Sequence, residues 1–68
     1  MRQRHQRTFT IAEHGKVTMV SSMVTRAGNL AGWSVRINGE RFFVNTMTHE
    51  QAEDRAFVRW VEKQEKAA

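Results

Sequence analysis

The chain has no cysteine, no proline and only four glycines in 68 residues. Without cysteine there is neither a disulfide framework nor a thiolate metal site. With no proline, few glycines, 40% hydrophobic and 26% charged residues, the composition is that of a globular chain rather than a disordered one. Long apolar runs are missing too. None approaches the roughly 18 residues of a membrane span, and no apolar stretch of signal-peptide type follows Met1. These absences predict no membrane partner and a place in the reducing cytoplasm or a virion. At this length the chain is one domain at most, and such a domain buries only about 60% of the surface its unfolded chain exposes. Small domains of this kind rely on disulfides, a metal, a partner or very regular packing, and the disulfide route is closed here.

What the chain does have is positive charge, unevenly placed. Eleven Lys and Arg face seven Asp and Glu, a formal +4. Residues 1–41 hold Arg2, Arg4, Arg7, Lys16, Arg26, Arg36 and Arg41 against only Glu13 and Glu40, which is +5. Residues 42–68 carry −1. Asymmetry of that sign points to a polyanion, most often nucleic acid, although solubility alone also uses a few net charges.

Along the chain, residues 1–7 read as a flexible basic arm and 8–68 as a single small domain. Alternation in Thr8 to Glu13 predicts a strand with Phe9 and Ile11 on one face. His14-Gly15 suits a turn into a second strand from Lys16 to about Thr25. There Val17 and Met19 share one face while Val20 and Val24 share the other, a conflict that a bulge near Ser21-Ser22 would reconcile. Ala27 to Gly32 reads as a loop, with Gly28-Asn29 able to supply positive φ. Asn38-Gly39 then marks a two-residue hairpin turn between Trp33–Ile37 and Glu40–Val44. That turn places Arg36 opposite Arg41 and Ser34 opposite Phe43. Trp33, Val35, Ile37, Phe42 and Val44 fall on the core face. Thr48-His-Glu-Gln51 is a capping box with Met47 and Ala52 at the staple positions, opening a helix from His49 to about Lys66. Ala52, Ala56, Phe57, Trp60 and Val61 form its apolar face, and Val58 lies outside it. Arg55, Arg59, Lys63 and Lys66 sit opposite, as a solvated face tied by Glu62–Lys66 or as a second cationic strip. The fold class is α+β, an antiparallel sheet of three to four strands packed on one C-terminal helix.

The outer face of the hairpin is unusual. Arg36 and Arg41 oppose each other, at a cost of about 0.2–1 kcal/mol on the cross-strand scale, and Phe43 sits beside them where water offers an aromatic nothing. Guanidinium groups flanking an aromatic suit a phosphate backbone or guanine. A covering layer, such as a dimer partner or the first hairpin folded back, would also account for Phe43. The order Trp33-x-Val35-Arg36-Ile37, Asn38-Gly39-x-Arg41, Phe43-Val44, Asn45-Thr46-x-Thr48-x-Glu50-x-Ala52, Ala56-Phe57 resembles the three-strand-plus-helix DNA-binding domain of plant ethylene-response factors and of the N-terminal arm-binding domains of tyrosine-family phage integrases. The resemblance spans residues 32–60. It implies a sheet that enters the major groove, Arg36, Arg41 and Phe43 as contacts, and a helix that buttresses the other side. Asn45 stands where that family usually has Gly, and the Thr8–Thr25 region is extra.

Catalytic signals are lacking. His5, His14 and His49 have no ligand spacing, Glu50, Glu53 and Asp54 complement the dipole of the helix N-terminus, and no phosphate loop or nucleophile motif occurs. No catalytic residue, metal or cofactor is expected. The leading expectation is a small basic protein that binds double-stranded DNA through Ser34, Arg36, Arg41 and Phe43 on the sheet and Arg2, Arg4, Arg7 and Arg26 around it. The alternative is a small phage-type inhibitor of a host enzyme or of a CRISPR complex, docking the same residues on an acidic or nucleic-acid-binding protein surface. A homodimer fits either.

Overall fold

Three tight turns organise a computed structural model that describes residues 4–67. Strand β1 (Arg4–Ile11) is followed by β2 (Gly15–Arg26), β3 (Asn29–Ile37), β4 (Glu40–Val44) and the helix α1 (His49–Ala67). The strands form one antiparallel sheet in the order β1-β2-β3-β4, and α1 lies across one face of it, so the fold is α+β. No helix among the described residues is long and apolar enough to cross a membrane.

The last turn follows the residues most directly. Asn38 and Gly39 both take positive φ, 49° and 91°, the conformation that matches the twist of a two-residue hairpin. The pairs Trp33–Val44, Ser34–Phe43, Val35–Phe42, Arg36–Arg41 and Ile37–Glu40 follow from it. Asn38 does more than turn the chain. Its amide N–H donates to Thr18 O at 3.0 Å and its Oδ1 accepts from Thr18 N at 3.0 Å, which extends the β2–β3 ladder beyond the strand end.

The first three strands differ from expectation in their limits. β1 begins at Arg4, not Thr8, and pairs in unbroken register from Arg4–Ser22 to Ile11–Gly15. Of the expected arm, residues 4–7 are therefore strand, and residues 1–3 lie outside the described ones. Ala12, Glu13 and His14 make the first turn, with Gly15 already in β2. Ala27 and Gly28, at φ 53° and 81°, make the second, so β3 starts at Asn29 inside the expected loop. The bulge falls between Val24 and Thr25 rather than near Ser21-Ser22. β2 is thus regular through its middle. Val17, Met19, Ser21 and Met23 face the helix, while Val20, Ser22 and Val24 face away.

The core lies between this sheet face and α1. Val17, Met19, Trp33, Val35, Ile37 and Val44 meet Ala52, Ala56 and Trp60. The two alanines let the helix backbone approach the sheet, and Trp60 fills the space further along, where the His14 ring meets it edge-on at 5.1 Å. Val58 is exposed, as the helical period requires. Thr48 caps α1, its Oγ1 accepting from Gln51 N at 3.3 Å. The hydrophobic staple does not form: Met47 is 77% exposed. Thr46 is buried instead, donating from its Oγ1 to Thr48 O at 3.1 Å.

Candidate functional site

Two-residue periodicity sends every other strand residue to the face that the helix does not cover. On that open face, Arg4, Gln6, Thr8 and Thr10 come from β1, and Lys16, Thr18, Val20, Ser22 and Val24 from β2. Ser34 and Arg36 come from β3, and Arg41 and Phe43 from β4. Four of these side chains are cationic and none is acidic. The one acid within a strand, Glu40, points to the helix side, where Lys63 Nζ stands 2.8 Å from its Oε2 and Gln64 Nε2 donates to its Oε1 at 3.2 Å. The hydrogen bond from Lys63 holds the Glu40 carboxyl below its ordinary value, partial desolvation opposing it. Arg4, Lys16, Arg36 and Arg41 have no acidic partner among the described residues.

The register builds two adjacent rows across the open face. One runs Gln6, Val20, Arg36, Arg41, and the next Arg4, Ser22, Ser34, Phe43. Arg4, Arg36 and Arg41, with Val20, Ser22 and Ser34, line a shallow depression of about 410 Å³. Four of the residues expected from the sequence therefore meet at one place: Arg4, Ser34, Arg36 and Arg41.

Phe43 adjoins them, 52% exposed. Its position has a local cause. Gly32, at φ +155°, lies beneath its ring, so that a Cβ built on Gly32 would stand 2.7 Å from Phe43 Cζ and 2.8 Å from Val44 O. The ring covers backbone that a side chain cannot cover, the device by which aromatics compensate a strand glycine. Part of Phe43 is thus accounted for by the sheet itself, and the rest of the ring is available to a partner.

Two other expected residues lie elsewhere. Arg7 belongs to the helix side, with its Nη2 3.1 Å from Glu53 Oε1 and its guanidinium 5.7 Å from the Phe9 ring centroid. Its side chain therefore lies on the helix side and not on the open face. Arg26 is exposed at the end of β2, about 13 Å beyond Ser22 at 3.3 Å per residue, and stands apart from the cluster. Arg2 lies outside the described residues. Thr8 and Thr10 lie opposite Phe9 and Ile11, as alternation requires, whereas Lys16, Gln6 and Thr18 join the face unannounced, because their placement depends on the phase of β2 and on β1 continuing to Arg4.

Glu53 also departs from expectation. It is 4% exposed and accepts from Ser21 Oγ at 2.7 Å besides pairing with Arg7. A helix-dipole role does not require such burial; a tie between α1 and strands β1 and β2 does. His5 and His49 meet as well, stacked at 3.6 Å beside Trp33. Among the described residues, no group of three or more His, Asp or Glu is placed to hold a metal ion.

On the helix, Arg59 Nη1 donates to Phe43 O at 3.3 Å and Lys63 is paired with Glu40. All four helix cations are exposed, as a solvated face requires, but two of them are tied to β4, and no Glu62–Lys66 pair forms among the described residues. Compared with family models, curated proteins and solved structures, the chain matches none.

Proposed function

We propose that the protein binds double-stranded DNA with the open face of its sheet. One observation carries this reading: four cations and a field of hydroxyl and amide groups share that face with no acid among them. A face shaped by solubility alone would mix both signs. Opposing Arg36 to Arg41 costs folding energy with no anion present, and a phosphate or guanine between the two guanidinium groups would turn the repulsion into two charge-assisted contacts.

The dimensions suit a duplex. Strands lie about 4.8 Å apart, so the β3–β4 ribbon fits a major groove about 12 Å wide. Arg36 and Arg41 then face the base edges. Arg4 and Lys16, on the flanking strands, reach the phosphates beside the groove, and Arg2 adds a cation just before β1. A single-stranded target is less well served, because one aromatic on the face is a poor stacking platform. The sequence resemblance over residues 32–60 calls on the same face, with the helix behind it.

A second reading uses the apolar part of the surface. Val20, Val24 and Phe43 interleave with the arginines, a mixture that also suits docking on an acidic protein surface, as an inhibitor would. Retention of a labelled duplex of about 25 base pairs at about 50 mM and 200 mM salt tests the first reading. Binding should be clear at the lower salt and fall steeply at the higher, with a log–log slope of about −0.9 per phosphate neutralised. No retention at low salt rejects DNA binding. Capture of a host protein that survives nuclease would then favour the second reading.

A further inference from the structure

The two edges of the sheet are unlike. β4 is five residues long, and the helix closes on it through Arg59 at Phe43 O and Lys63 at Glu40. β1 is eight residues long, pairs with β2 without a bulge and contains no proline or lysine. Of the devices that usually blunt an edge strand, bulge and proline are missing from β1, and its charges are Arg4 on the open face and Arg7, held by Glu53. α1 rests on β3, with β2 and β4 to either side, and meets β1 through the side-chain contacts His5–His49, Arg7–Glu53 and Phe9–Phe57. Over the inner side of β1 this leaves a groove of about 300 Å³, lined by Phe9, Met19 and Phe57 with Arg7, Glu53 and Asp54 at hand.

We infer that β1 pairs antiparallel with β1 of a second copy about a two-fold axis at Thr8, continuing the sheet to eight strands. Charge complementarity selects the occupant. On its helix side β1 carries Arg7 and no acid, while the helix rim of the groove presents Asp54, exposed and with no cationic partner among the described residues. A second β1 brings arginine and phenylalanine to a groove that is acidic at its rim and aromatic in its lining.

The register follows from side-chain alternation. Helix-side residues of one strand must meet helix-side residues of the other, so paired residue numbers add to an even total. Pairing centred on Arg7 would oppose the two Arg7 side chains, and pairing centred on Phe9 would shorten the ladder. Centring on Thr8 places Arg7 opposite the partner's Phe9 and Gln6 opposite the partner's Thr10, and it uses residues 5–11 of both strands. Both helices then lie on the same side of the joined sheet, and the two acid-free faces become one surface. The inference does not depend on what that surface binds.

Sedimentation equilibrium of the full chain, free of nucleic acid, from about 1 to 500 μM tests it. The expected mass rises from 7.9 kDa toward twice that value within the range. Thr8 is exposed, so Thr8→Lys and Thr8→Asp should fold, as circular dichroism would verify. Each opposes like charges across the axis and should raise the dimer dissociation constant about three-fold or more. An equimolar mixture of the two opposes unlike charges and should restore at least wild-type affinity. A mass fixed at 7.9 kDa throughout, single variants that dimerise as tightly as wild type, or a mixture no tighter than its components would each overturn the inference.

Discussion

Arg36 and Arg41 stand directly opposite one another on adjacent strands, both exposed and neither paired with an acid among the described residues. Their opposition works against the fold and, in the proposed complex, for the function. Arg41→Ala should therefore leave stability unchanged or raise it by about 0.2–1 kcal/mol in urea denaturation. The same change should weaken duplex binding by about 1–3 kcal/mol and relax its sequence preference, while the salt slope, set by phosphate contacts such as those of Arg4 and Lys16, changes little. A loss of both stability and binding would instead make Arg41 a structural residue.

Gly32 and Phe43 test how far the exposed aromatic belongs to the sheet. A Cβ at Gly32 meets the Phe43 ring and, equally close, the backbone oxygen of Val44. Gly32→Ala should cost about 1–3 kcal/mol in thermal or urea melts. Adding Phe43→Ala should recover only part of that loss, because the Val44 carbonyl stays in place. Full recovery would show that the ring alone requires the glycine.

Ser21 and Glu53 join β2 to the start of α1 through a buried 2.7 Å hydrogen bond. Ser21→Ala leaves the carboxylate short of a donor where water scarcely reaches, and should cost about 1–3 kcal/mol. Glu53→Ala should cost a comparable amount, and the double variant less than the sum of the two, since each single change breaks the same bond. A double-mutant cycle in urea measures the coupling.

Glu40 gives the pH dependence a direction. Its carboxyl is held below the ordinary value of 4.5 by the hydrogen bond from Lys63. A lowered folded-state value means that the contribution is fully present above 4.5 and fades as pH falls through the lowered value. The stability difference between wild type and Glu40→Gln should thus be visible at neutral pH and vanish in strong acid. It should also shrink with added salt, because the pair is solvent-accessible. A difference that grows toward acid would contradict this assignment.

Legibility in the sequence followed the strength of local signals. Asn38-Gly39 fixes a two-residue turn, and from it the register of β3 and β4 and the opposition of Arg36 to Arg41 could be read directly. β2 was ambiguous because Val and Ser occupy both of its faces: Val20 and Val24 are on the open side although they are apolar. Arg4 to Arg7 carries no apolar alternation at all. It becomes strand because β2 is twelve residues long and offers a ladder that far, and because His5 stacks on His49 at the start of α1. The burial of Glu53 was hidden for a related reason. An acid in the first turns of a helix already has a sufficient local explanation, and its partners Arg7 and Ser21 lie on two different strands.

In the proposed complex the sheet, not the helix, meets the DNA. Mapping backbone amide shifts in ¹⁵N-labelled protein during titration with a duplex tests it most directly. The account predicts shifts concentrated at Arg4, Val20, Ser22, Ser34, Arg36 and Arg41, with Arg55 and Lys66 on α1 unmoved. Shifts concentrated on α1, or none at all at low salt, would contradict it.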